Sequence, residues 1–175
     1  MRTQYADGRS LTHTTQTAYT ADKKRDIASL RETWAEAPQL DSLTQYRYGS
    51  FGQQLEKSYP QSDGVTIREV CTLRADGKAV ETAAVYANDA LQQLTRYEYG
   101  SAGAQKDQVV KEHRFYARPG EALSAESPCY TRLFAYADGC AQPVSVTQTG
   151  LTDADGAALP DVTERFAYDL RGSRT

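Results

Sequence analysis

The side chains in this 175-residue chain best suited to catalysis are two histidines and three cysteines, and their spacing organises neither set. His13 lies in LTHTTQT, an alternating polar stretch, and His113 in VVKEHRFY, where it alternates with charged residues. Both read as surface histidines. The Gly-x-Ser-x-Gly elbow that would present a nucleophilic serine is absent. A cysteine nucleophile would need Cys71, Cys129 or Cys140 beside a histidine, and no spacing brings them together. The cysteines fit no zinc pattern and cannot all pair with one another, so free, partly buried thiols are expected. The stretch TDADGAALPD, Thr152–Asp161, resembles half a calcium loop. With Gly156 as its glycine, the first and last ligand positions fall on Leu151 and Val162, so a hairpin tip is expected instead. Asp153, Asp155 and Asp161 remain candidates for a weakly held surface cation. No spacing specifies the paired carboxylates of glycoside hydrolysis, and no phosphate loop or GxGxxG follows a strand. The expectation is a protein that is not an enzyme and carries no cofactor or resident metal.

The formal net charge of -3 gives no electrostatic footprint for nucleic acid. The basic run Lys23-Lys24-Arg25 is flanked by Asp22 and Asp26 and reads as a solvated face. No apolar run approaches the roughly 18 residues of a membrane-spanning helix, so no membrane insertion is expected. The opening MRTQYADGRSLTHT has no apolar signal core. Cytoplasmic residence, export by a route that reads no such signal, and origin in a longer protein all fit it.

The elements that would position any site are written in tyrosine. There are 12 tyrosines against one tryptophan, four phenylalanines and one methionine, a set suited to strand surfaces that are apolar at the base and wet at the tip. LTQYRYGSFG, Leu43–Gly52, and LTRYEYGSAG, Leu94–Gly103, share seven of ten positions. Aromatic-x-aromatic pairs recur as Tyr46/Tyr48, Tyr97/Tyr99, Phe134/Tyr136 and Phe166/Tyr168, each followed at once by turn residues. Residues two apart on a strand share a face, so each pair sets two rings on one side of a strand that ends in a tight turn. The interval between the first two copies is 51 residues and shrinks to 37 and 32 in the later ones, a loose repeat.

Ala-Asp-Gly occurs at residues 6–8, 75–77, 137–139 and 154–156. A two-residue Asp76-Gly77 turn of type I′ would pair Leu73 with Val80, Cys71 with Thr82 and Ile67 with Tyr86, aligning two apolar faces. Further strands are expected at Arg2–Tyr5, Ser10–Tyr19, Leu43–Tyr48, Gln53–Tyr59, Gln93–Tyr99, Val109–Ala117, Thr131–Ala137, Pro143–Gln148 and Val162–Tyr168. One short peripheral helix is expected near residues 22–36, capped by Thr20 or Asp22, with Ile27, Leu30 and Trp34 at helical spacing and Pro38 ending it. The fold class is therefore all-β: an antiparallel hairpin meander over residues 1–175, taken as a single domain, with one helix.

The closing RFAYDLRGSRT, Arg165–Thr175, resembles the YD repeat, whose pattern is roughly Tyr-x-Tyr-Asp-x-x-Gly-[Arg/Gln]; Phe166, Tyr168, Asp169 and Gly172 occupy its positions. The segments beginning at Tyr46 and Tyr97 are similar, with Gly49 and Gly100 where Asp is usual, and Phe134–Gly150 is similar to a shortened copy. The resemblance, from Leu43 onward, is to the Rhs/YD-repeat group, which includes the C component of insecticidal toxin complexes and the teneurins. It implies an antiparallel ribbon that spirals into a shell around a polypeptide cargo, often a toxin. The self-cleaving core region of that family, and a toxin tail after it, have no counterpart here.

Two roles follow as expectations. The favoured one is a structural, non-catalytic shell segment of a secreted bacterial toxin system, a piece of a longer YD-repeat polypeptide whose unpaired strand edges invite self-association. The alternative is a carbohydrate- or cell-surface-binding module in which Tyr46, Arg47, Tyr48, Arg96, Tyr97 and Tyr99 contact a sugar or a partner. A small barrel around an apolar ligand ranks third.

Overall fold

The computed structural model describes residues 2–4, 10–21, 26–61, 63–118, 120–169 and 173–174. Twelve strands follow one another: β1 (Arg2–Gln4), β2 (Ser10–Tyr19), β3 (Ile27–Trp34), β4 (Ser42–Tyr48), β5 (Gln54–Pro60), β6 (Thr66–Leu73), β7 (Val80–Ala87), β8 (Ala90–Tyr99), β9 (Val109–Tyr116), β10 (Tyr130–Ala135), β11 (Ser145–Thr149) and β12 (Val162–Arg165). Their order in the sheet is their order in the chain. The fold is thus the all-β, antiparallel hairpin meander that the alternation and the turn signals imply. Among the described residues the helical content is two single 3-10 turns, Pro38–Leu40 and Gly103–Gln105.

The chain forms two compact units, residues 1–71 with 85–90, and residues 72–84 with 91–175. In the first unit, β2 pairs β3 from His13↔Trp34 to Tyr19↔Ile27, β3 pairs β4, β4 pairs β5, and β5 pairs β6. In the second, β8 pairs β9, β9 pairs β10, β10 pairs β11, and β11 pairs β12.

The helix expected near residues 22–36 is replaced by β3, with Asp22–Arg25 outside the described residues. The reason lies in an ambiguity of spacing. Leu30 and Trp34, four apart, share a face on a helix and on a strand alike. Tertiary packing decides between them. The Trp34 ring stacks on His13 across the β2–β3 pair, with centroids 4.2 Å apart and planes at 15°. β-Branched Ile27 and Thr33 and aromatic Trp34 also suit a pleated surface.

The β6–β7 hairpin exists and keeps the expected register at its turn, where Arg74 faces Ala79, but departs from it by one residue farther along. Its loop holds four residues rather than two: Arg74 N–H donates to Ala79 O at 2.9 Å, and Gly77 N–H donates to Arg74 O at 2.8 Å. Gly77, at φ 69°, takes the left-handed turn. Thr72 Oγ1 then meets Thr82 Oγ1 at 2.7 Å. One residue separates Thr72 from Arg74 and two separate Ala79 from Thr82, so β7 carries a bulge. Thr82 therefore shares a face with Thr72, not with Cys71. In the first unit the same offset places Tyr86 beneath the Arg68 guanidinium, 4.4 Å from its centroid, rather than opposite Ile67. The type I′ requirement of positive φ at both central residues is met instead by Asn88 (46°) and Asp89 (63°), between β7 and β8.

Little of this sheet is sealed from water. Among the described residues the buried apolar side chains are Ala37, Ala84, Phe115 and Val146, and no large side chain is wholly buried. Cross-strand pairs carry the cohesion instead. Cations also sit over rings, within one strand at Lys57/Tyr59 and Arg132/Phe134 and between segments at Arg74/Tyr99 and Arg174/Phe166, each contributing on the order of 0.5–1 kcal/mol at such exposure. Thr95 and Glu112 are the buried polar residues among those described, and Glu112, its side chain 7 % exposed, is the charged one. Burying a carboxylate is costly unless it is paired, and here Arg114 binds it while Arg132 Nη1 lies 3.6 Å away.

Candidate functional site

The second tyrosine of each aromatic pair has a specific job. In an antiparallel hairpin the end of the second strand lies beside the start of the first. Tyr99 closes β8, and its hydroxyl donates to the carbonyl of Val80, the first residue of β7, at 2.7 Å. Tyr136, just past β10, donates to Val109 O, the first residue of β9, at 2.9 Å. Tyr168, past β12, donates to Pro143 O, just ahead of β11, at 2.9 Å. Tyr48 holds the same motif position at the end of β4. Burial, and then the nearby Asp26 carboxylate just ahead of β3, push its phenol pKa up.

Within each unit, the sugar-contact residues proposed from sequence divide between the two faces of their strand. Tyr46 and Tyr48 stack on the half-buried face of β4, with centroids 6.5 Å apart. Arg47 points to the opposite face, where its Nε and Nη2 donate to Glu56 Oε2 at 3.1 and 3.0 Å. Tyr97 and Tyr99 likewise share one face of β8 and Arg96 takes the other. Tyr46, Arg47 and Tyr48 belong to the first unit, and Arg96, Tyr97 and Tyr99 to the second. The calcium-like stretch forms a tip closed on itself: Asp153 Oδ1 accepts from Asp155 N–H at 3.0 Å and Ala157 N–H at 2.8 Å. Among the described residues, no group of three His, Cys, Asp or Glu is placed to hold a metal ion.

A connected polar cluster lies on the Arg96 face of β8–β10. Register sets Arg96 opposite His113, and His113 opposite Thr131. His113 Nε2 lies 2.7 Å from Glu98 Oε1, and His113 Nδ1 lies 3.0 Å from Thr131 Oγ1. Lys111 Nζ holds the other oxygen of Glu98 at 3.1 Å. The His113 hydrogen bond first, and Lys111 after it, hold the Glu98 carboxyl below its ordinary pKa of 4.5. Beside this relay opens a cavity of about 480 Å³, with Phe115 and Pro128 among its apolar walls and Glu81, Arg96, Glu98 and Glu126 around it. Phe115 is only 2 % exposed, and the Arg96 guanidinium lies over its ring at 5.0 Å.

Sequence reasoning read His113 as a surface histidine and passed over Glu81, Glu98 and Glu126. The alternation of β8 and β9 was legible, but the pairing of Arg96 with His113 depends on a register shift at Glu98/Tyr99 that no local signal announces. No protein-family model matches the chain, and no curated protein matches it.

Proposed function

We propose that the chain is a non-catalytic wall segment of YD-repeat type, part of an exported bacterial toxin system, that encloses or presents a polypeptide. The observation that carries this reading is the repeated tyrosine latch. Three of the four copies tie the end of one strand to the start of the strand before it, so the unit can be added indefinitely without a central core. Such a sheet grows by strand pairing and keeps an open edge at each end. Every residue of β12 is exposed, and Val162 is 52 % exposed.

The test is association through that edge. Phe166 N–H donates to Val144 O at 2.9 Å, so the preceding Arg165 N–H points away from β11. Arg165→Pro removes an outward donor at an edge where proline is tolerated. Sedimentation should show concentration-dependent association of the protein and its loss in Arg165→Pro, at unchanged thermal midpoint. A protein that stays monomeric across the micromolar to millimolar range sinks the wall.

The second reading, sugar binding, is favoured by the stacked Tyr46/Tyr48 pair. A glycan array with hits abolished by Tyr46→Ala would install it in place of the wall.

A further inference from the structure

We propose that the cavity on β7–β9 binds a free basic α-amino acid, its carboxylate on Arg96 and its two cationic groups on Glu81 and Glu126. The argument is one of unmatched charge around a shared space. Of the charged groups lining the cavity, Glu98 is already engaged by His113 and Lys111. Arg96 is laid on the Phe115 ring and forms no ion pair with another described residue, and the same holds for Glu81 and Glu126. One guanidinium and two carboxylates thus face a common volume of about 480 Å³ without meeting across it. That volume is within the usual range for small-molecule sites, roughly 300–1,000 Å³.

The complement of this set is two cations and one carboxylate on a single small molecule. Free lysine and arginine carry that combination. A diamine lacks the group for Arg96, an acidic amino acid meets two repelling carboxylates, and a neutral sugar leaves all three charges without a counter-ion. The alkyl stem of a basic side chain suits the Phe115 and Pro128 walls, since long cationic side chains lay their methylenes on apolar surface while the head stays polar. A guanidinium is also the cation that meets a carboxylate with two parallel hydrogen bonds, which assigns the α-carboxylate to Arg96.

This site goes beyond the wall reading and does not rest on it, since edge association and ligand binding are separate measurements. Calorimetric titration of the whole chain with L-arginine and L-lysine should show saturable binding at one site. Agmatine, which lacks the carboxylate, and N-acetyl-L-arginine, which lacks the α-ammonium, should each bind at least tenfold more weakly. Arg96→Gln should erase the difference between arginine and agmatine. One of Glu81→Gln and Glu126→Gln, both at exposed positions, should erase the difference between arginine and N-acetyl-arginine. The ligand series on the unaltered protein decides the matter even where a variant folds poorly. No saturable binding of either amino acid, or agmatine or N-acetyl-arginine binding as tightly as arginine, overturns the assignment.

Discussion

The hydroxyl of Tyr99 donates to the carbonyl oxygen of Val80 at 2.7 Å, across the full length of the β7–β8 hairpin. The bond joins the last residue of one strand to the first of its predecessor. It explains a regularity in the sequence: the first aromatic of the four motifs is Tyr, Tyr, Phe and Phe, whereas the second is Tyr in all four. A ring alone serves at the first position. At Tyr99, Tyr136 and Tyr168 the second position supplies a donor to a strand's leading carbonyl.

Replacing that donor should therefore cost stability where replacing the first ring's hydroxyl does not. Tyr99→Phe, Tyr136→Phe and Tyr168→Phe are each expected to lose about 1 kcal/mol, the net value of a part-buried neutral hydrogen bond. Tyr46→Phe, at a first position, is expected to stay within about 0.5 kcal/mol. Urea denaturation midpoints at constant slope measure both. Equal effects at first and second positions would reduce the motif to ring packing.

Most strands were legible because their alternation, their aromatic pairs and their flanking Gly, Asp and Asn all point one way. Ser10–Tyr19 is delimited by sequence and structure at the same residues. Where two periods coincide, as at Leu30 and Trp34, local pattern could not choose, and a contact with His13 far along the chain did. The β6–β7 register failed for a related reason. Asp76-Gly77 signals the reversal, and a loop of two residues or of four about that centre keeps one register; the shift enters with the bulge in β7, which no local signal announces. Of the cavity, Arg96 was named as a candidate because it neighbours Tyr97. Glu81 and Glu126 come from distant segments and carry no mark in sequence.

The two copies of Gly-Ser-x-Gly fold differently, which sets up a contrast between glycines. After β4, Gly49 N–H donates to Gln53 O and the loop closes at once; after β8, Gly100 N–H reaches Gln108 O around a longer excursion. A Cβ on Gly100 would lie 2.2 Å from the backbone oxygen of Gln105, whereas one on Gly49 would meet the far end of the Gln53 side chain at 2.9 Å. Gly100→Ala is expected to cost about 1–3 kcal/mol, as overpacking against fixed backbone does. Gly49→Ala is expected to cost less than about 1 kcal/mol. Thermal unfolding of the two variants side by side checks the order, and a reversal would mean that the longer loop yields more readily than the shorter.

Acidification should weaken the second unit through Glu98. Its carboxyl is held below the ordinary value in the folded chain, by His113 first and Lys111 second. On lowering pH the unfolded chain takes up the proton first, so the stabilisation present at neutral pH fades as the pH drops through the carboxylate range. Glu98→Gln removes the titrating group and should flatten the acid limb of a stability–pH curve while lowering the neutral plateau. An acid limb unchanged by Glu98→Gln would place the sensitivity elsewhere.

The stack of Trp34 on His13 fixes the second hairpin, and it can be measured as a coupling. The two residues are 21 positions apart, and they meet only because β3 runs antiparallel to β2 in the register His13↔Trp34. A stacked pair of this kind contributes about 0.5–1.5 kcal/mol beyond the area it buries. His13→Ala and Trp34→Ala should therefore be less costly together than the sum of the two alone, by about that amount, in a double-mutant cycle. A helix over residues 22–36 would carry Trp34 away from β2 and make the two losses additive. Trp34 is the sole tryptophan, so its fluorescence reports the same contact directly. His13→Ala should shift the Trp34 emission, and an unaltered spectrum together with additive losses would remove β3 from its place beside β2.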